Sequence, residues 1–131
     1  MAELSVEIVT PRAVAWSGSA SDVRAPGLLG EFGVYPKHIP YLTVLVPGVV
    51  RVRANGVVKA FAVGEGFAEA GPDRIVLLCD SCEALDTVDR SAAERDLADA
   101  RAVLRTAAHG TLAHTQATKK AALAQAKLAK A

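Results

Sequence analysis

No aromatic residue follows Phe67 and no acidic residue follows Asp99. Only two cysteines occur, Cys79 and Cys82, too few for the disulfide framework of a small secreted domain. No apolar run approaches the roughly 20 residues that cross a bilayer. The opening MAELSVEIVT enters an alternating pattern at once, unlike an export signal or an Arg-rich transit peptide. These absences lead us to expect a soluble protein that faces the cytosol. Disorder is excluded, because 51% of the residues are apolar and only 22% charged. A chain of 131 residues buries about two thirds of its unfolded surface and needs no disulfide or metal staple.

The net charge of +1 hides an asymmetry. All 14 acids and nine Lys+Arg lie in residues 1–99. The rest of the chain carries Arg101, Arg105, Lys119, Lys120, Lys127 and Lys130 with no acid among them. Such a tail suits nucleic acid, anionic lipid or an acidic protein surface, or is simply a solvated helix. Residues 92–131 also contain 15 alanines, the best helix former. The two compositions meet near Asp86–Asp89, which divides the chain into an expected β-sandwich over 1–87 and an α-helical hairpin over 88–131.

Leu4, Val6 and Ile8 alternate with Ser5, Glu7 and Val9, the period of a half-buried strand. Pro11 ends it. Further short strands are expected near 13–17, 20–25, 31–34, 42–46, 48–54, 57–63, 66–70 and 74–79. Asn55-Gly56 between VVRVRA and VVKAFA is the strongest hairpin signal, since that dipeptide tolerates positive φ at both turn positions. Many short strands with Gly/Pro turns mean a sandwich or flattened barrel. In the second half, Ser91 and Glu94 fit a capping box, with Asp89 as the rival cap. Ala93, Leu97, Ala100, Leu104 and Ala107 form one stripe on a helix over about 90–108. Gly110 suits a left-handed stop. A second helix over about 112–129 carries Ala117, Ala121, Ala124 and Leu128 on one face. These small faces bury little area, so a weakly docked hairpin is expected.

Catalytic chemistry is scarce. Cys79-Asp80-Ser81-Cys82 has C-x-x-C spacing, but no second ligand pair completes a zinc site, and no helix N-terminus follows to activate a thiol. Gly27, Gly30, Gly33 and Gly64-Glu65-Gly66 miss the dinucleotide and phosphate-loop patterns and suit turns and tight sheet corners. His109 and His114 are five apart across Gly110 and share no helix face. No catalytic, cofactor or metal site is expected. The stretch Pro26–Thr43 does stand out, because its prolines, aromatics and charges sit in a loop-rich segment held by a sheet.

Gly30 through Thr43 resembles the pattern G-E-[FL]-G-[IV]-[LY]-P-G-H-x-P-L-[LV]-T of the epsilon subunits of F-type ATP synthases. Lys37 replaces the usual Gly, and Tyr41 the usual Leu. Leu45 through Val52 is similar to that family's L-x-P-G-x-[ILV]-R-[ILV]. Val63 through Glu69 is similar to its V-x-G-G-F-x-E, with Glu65 in place of a Gly. The resemblance covers essentially the whole chain, with its specific motifs in residues 26–69.

The resemblance implies a ten-strand β-sandwich followed by a helical hairpin. It implies a non-catalytic rotor subunit on the cytoplasmic face of the inner membrane, attached only through its complex. The sandwich would bind the gamma subunit and the c-ring, coupling proton or sodium-ion flow to ATP synthesis. Glu31, Lys37 and His38 would lie in the c-ring-facing loop. The hairpin would meet the alpha and beta subunits and slow ATP hydrolysis, with Arg101, Arg105, Lys119 and Lys120 approaching acidic loops of beta. Some relatives bind ATP through [IL]-D-x-x-R-A. Here Val88-Asp89-Arg90-Ser91-Ala92-Ala93 has Ala92 where the arginine belongs, so weak or absent ATP binding is expected. The alternatives are a free-standing nucleic-acid or anionic-surface binder using the basic tail, and a small thiol enzyme. The first lacks aromatics for stacking. No nucleic-acid partner and no cofactor are therefore expected.

Overall fold

The computed structural model describes residues 3–130. Residues 1, 2 and 131, which the two expected domains also include, lie outside that range. Ten strands precede two helices: β1 (Leu4–Val9), β2 (Val14–Ala20), β3 (Asp22–Gly27), β4 (Gly30–Val34), β5 (Tyr41–Leu45), β6 (Gly48–Ala54), β7 (Val57–Val63), β8 (Gly66–Ala70), β9 (Arg74–Cys79), β10 (Cys82–Ala84), α1 (Arg90–Thr106) and α2 (Leu112–Lys127). The β-sandwich with a C-terminal helical hairpin is thus the observed fold.

The strands run β10-β7-β6-β3-β5-β8-β9-β1-β2 in one continuous sheet, with β4 pairing β3 outside that path. β3 carries the sheet from one wall of the sandwich to the other. Its residues Asp22–Arg24 pair with β6, while Gly27 pairs with Leu45 of β5. One wall is therefore β10-β7-β6 and the other β5-β8-β9-β1-β2. β1 joins β9 in parallel and β2 in antiparallel register. Trp16 of β2 lies 6.3 Å from Phe61 of β7, ring to ring, and brings the far ends of the sheet together.

Both walls turn one side of each strand inward, as alternation requires. Leu4, Val6 and Ile8 are at most 1% exposed, as their spacing predicts, and they meet Val23, Leu45, Val50, Val52, Ile75 and Leu77. Each such burial stabilises by about 1.5–3 kcal/mol relative to an exposed side chain. Asn55 and Gly56 have φ of 52° and 75°, and Ala54 pairs with Val57, so the expected hairpin forms. Gly66 sits where a Cβ would come within 1.7 Å of the Leu78 carbonyl oxygen, so a tight corner requires that glycine.

Two expectations are corrected. β10 was not visible in the sequence, because three residues are too few to show a period. The N-cap of α1 is Asp89, whose carboxylate accepts from the Ala92 amide at 3.0 Å, so Ser91 lies inside the helix.

The helices pack on each other through Ala93, Ala100, Ala117 and Ala124. α2 also has a second face. Ala126, with Leu123 and Ala129, packs on Ala60, Ala62, Leu85 and Val49. That contact covers the outer side of β6 and β7, so the hairpin lies against the sandwich. Arg51 donates to the Lys130 carbonyl at 3.1 Å, and Arg90 to the Leu128 carbonyl at 3.0 Å. Both cations meet the negative end of α2.

Candidate functional site

The wall away from the hairpin leaves its outer side bare. On it Val44 pairs with Phe67, Phe67 with Leu78, Leu78 with Val9, and Val9 with Val14. Register thus lines five apolar side chains across five strands. Phe67 is 55% exposed, Leu78 49% and Val14 53%. The Leu28 amide donates to the Val44 carbonyl at 3.2 Å, which sets the exposed Leu28–Leu29 turn at one end of the row. The neighbouring row is mixed, with Leu42 opposite Glu69, Glu69 opposite Val76 and Val76 opposite Glu7. A groove of about 540 Å³ follows Leu42, Glu69 and Arg74 toward Pro40. An apolar row of this extent, rimmed by charge, has the anatomy of a protein interface.

The sequence-predicted loop lies beside that wall. Glu31 pairs with Arg24 at 3.7 Å, and Arg24 donates to the Tyr35 hydroxyl at 3.4 Å. Lys37 has φ of 67°, a left-handed conformation at the position where the resembling pattern has glycine. Its amide donates to the Pro72 carbonyl, which ties the loop to the β8–β9 turn. The His38 ring lies 5.9 Å from Tyr41, which in turn lies edge-on to Phe32 at 5.6 Å. His38 Nδ1 also lies 2.6 Å from the Ile39 carbonyl oxygen. Among the described residues no hydrogen bond or ion pair joins Glu31 to Lys37 or His38. The three residues occupy one loop-and-strand segment without forming one cluster.

The basic tail divides as well. Lys119 meets both oxygens of Glu65, at 2.9 and 3.1 Å, and so spans from α2 to the sandwich. Glu65 is one of the departures from the resembling pattern, where a glycine would offer Lys119 no carboxylate. Arg101, Arg105 and Lys120 are exposed and make no ion pair among the described residues.

The C-x-x-C pair has the chemistry of packed thiols. Burial pushes Cys79 up to about 12, aided by the neighbouring Cys82 and Asp80. Burial, aided by Glu83, pushes Cys82 up to about 11. Neither is a thiolate near neutral pH, which works against a thiol enzyme. Sequence reasoning singled out Pro26–Thr43 but missed the apolar row, because its members are scattered over five strands and only register unites them.

Residues 3–85 match the family described as "ATP synthase, Delta/Epsilon chain, beta-sandwich domain". The chain is 44% identical over 105 residues to the ATP synthase epsilon chain of Desulfosudis oleivorans, covering 77% of this chain and 79% of the relative. It is 40% identical over 124 residues to that of Moorella thermoacetica, covering 82% and 92%. It is 39% identical over 125 residues to that of Laribacter hongkongensis, covering 92% and 89%. A chain of the Euglena gracilis mitochondrial ATP synthase OSCP/F1/c-ring assembly superposes with a TM-score of 0.82 at 16% identity, covering 95% of this chain and 79% of that one. That likeness concerns the fold alone. With a matching sandwich family and relatives of this identity along most of its length, the chain belongs to the epsilon-chain family of ATP synthases.

Proposed function

We propose that the chain is a non-catalytic central-stalk subunit. It would link the gamma subunit to the c-ring and turn with them as proton or sodium-ion flow drives ATP synthesis. The observation that carries this reading is the bare row Val44–Phe67–Leu78–Val9–Val14, which register runs across five strands of the sandwich. The chain's own helices cover the other wall and leave this one to a partner. Gamma is assigned to it. The segment bearing Glu31, Lys37 and His38 is assigned to the c-ring, where a carboxylate and an imidazole meet polar loops by charge-assisted hydrogen bonds. The names of the relatives support the assignment, as do the c-ring assemblies in which the fold recurs.

The hairpin is assigned to restraint of ATP hydrolysis. While it lies on the sandwich, Lys119 is occupied by Glu65. Extension would free Lys119, with Lys120, Arg101 and Arg105, for acidic loops of the beta and alpha subunits. ATP is not expected to bind the hairpin with micromolar affinity. Asp89, the motif's remaining charged member, caps α1, and Arg90, which stands at a different position from the missing arginine, holds the Leu128 carbonyl, so both are committed. No described helix is long and apolar enough to cross a membrane. Attachment to the cytoplasmic face of the inner membrane would come through the complex.

The test is a pull-down of the tagged chain from gently solubilised membranes, with partners identified by mass spectrometry. Recovery of gamma, the c-ring, alpha and beta is expected. Recovery of none, while the synthase itself stays assembled, would overturn the assignment.

A further inference from the structure

Two of the chain's three histidines meet in space although their spacing gives no sign of it. The His109 and His114 ring centroids are 4.6 Å apart, with the planes at 45°. Hydrogen-bonded backbone presents both rings. The Ala107 amide closes α1 on the Val103 carbonyl at 2.8 Å. Gly110, at φ of 87°, then reverses the chain. The Thr111 hydroxyl donates to the Ala108 carbonyl at 2.7 Å and accepts from the His114 amide at 3.2 Å. One threonine thus ties the segment before Gly110 to the first turn of α2.

We propose that His109 and His114 form a two-imidazole site for a divalent transition metal such as Ni²⁺ or Cu²⁺ at the tip of the hairpin. A metal–nitrogen bond of about 2.0–2.1 Å puts each ring centroid about 3.2 Å from the ion. Two rings at a right angle about the ion then lie about 4.5 Å apart, against about 5.2 Å at the tetrahedral angle. The observed 4.6 Å is close enough for both rings to reach one ion, and imidazole suits nickel, copper and zinc alike. No group of three or more His, Cys, Asp and Glu forms a metal cluster among the described residues. Water therefore fills the other positions, and the site is open and exchangeable. His109 is exposed and His114 half-buried, so an ion reaches them without any opening of the fold. The positive end of α2 opposes a cation there, which limits affinity but not geometry.

The site is independent of the assignments of the bare row and the loop. Its test is calorimetric titration of the full chain with Ni²⁺ near neutral pH. One ion per chain is expected. Because the second imidazole binds within the same molecule, loss of either ring should weaken binding by about 100-fold. The variants are His109→Ala and His114→Asn. His109 lies in the exposed turn, so its variant keeps the test valid should His114→Asn disturb the helix. Electron paramagnetic resonance of the Cu²⁺ form should show two coordinated imidazole nitrogens, and one in either variant. Unchanged affinity in His109→Ala, a single nitrogen in the parent chain, or no binding at millimolar metal would overturn the site.

Discussion

The wall beneath the hairpin and the wall away from it belong to one sheet, yet their outer sides are built from different residues. Beneath the hairpin, Ala60 and Ala62 alternate with inward Phe61 and Val63, and α2 lies against them through Ala126. Small side chains on both surfaces let the helix approach closely while burying little area. On the other wall the corresponding outward positions carry Val44, Phe67 and Leu78. Nothing among the described residues covers them. A surface meant for intramolecular contact can be small and weak, because the partner is tethered at high effective concentration. A surface meant for a separate subunit needs bulky anchors, because association costs translational and rotational freedom. The two walls differ in the direction this argument requires.

The comparison breaks most sharply at the bare wall. Phe67→Glu with Val44→Asp should reduce co-purification with gamma by more than about tenfold, as loss of central anchors does. Both side chains point outward, so the melting temperature should move by only a few degrees. A parallel loss of folding would show that the row serves the sandwich itself.

The cysteines sharpen the comparison from the seam, since β9 belongs to the bare wall and β10 to the covered one. Alkylation of Cys79 at neutral pH should be much slower than that of a free thiol, and Cys82, the less buried of the two, should react first. The native state holds both thiols neutral above their ordinary value of about 9. Stability is then full below about pH 9 and falls as pH rises toward 12, because the unfolded thiols ionise first. Denaturant titrations across that range check the sign.

At the covered wall, Ala62→Leu overfills the contact with α2 and should cost about 1–3 kcal/mol. Hydrogen exchange should show faster opening of α2 with β1 and β9 unchanged. The smallest effect belongs to Glu65 and Lys119. Both side chains are about half exposed, so their pair should contribute at most about 1 kcal/mol to docking and weaken with salt. A double-mutant cycle on Glu65→Gln and Lys119→Gln measures it. In the assembled enzyme, Lys119→Glu with Lys120→Glu should relieve inhibition of ATP hydrolysis.

Legibility in the sequence followed the range of each signal. Period two fixed the inward face of β1, and the Asn55-Gly56 turn fixed the pairing of β6 with β7, because both signals are local. β10 was too short to show a period. Asp89 and Ser91 both offered an oxygen to the first turn, and only the backbone path decided between them. The stripe on α2 was read as a single face through Ala117 and Ala124. Its contact with the sandwich, through Leu123, Ala126 and Ala129, lies on another side of the same helix, where alanine is as common. The bare row and the histidine pair depend on register and on a turn conformation, which composition does not record.

The parallel pairing of β1 with β9 has a consequence for how the molecule comes into being. Ser5 through Val9 find their partners in Arg74 through Leu78, with most of the sandwich sequence between them. During synthesis the first strand can pair with β2 at once but leaves the ribosome long before β9 exists. Its inward Leu4, Val6 and Ile8 lack the Ile75 and Leu77 side of their core until β9 has emerged, and closure of so long a loop is slow. β6 and β7, joined by two residues, can pair early. Chain growth therefore allows the β6–β7 hairpin early and the β1–β9 pairing late, so the surface assigned to gamma matures only when the sandwich is nearly whole.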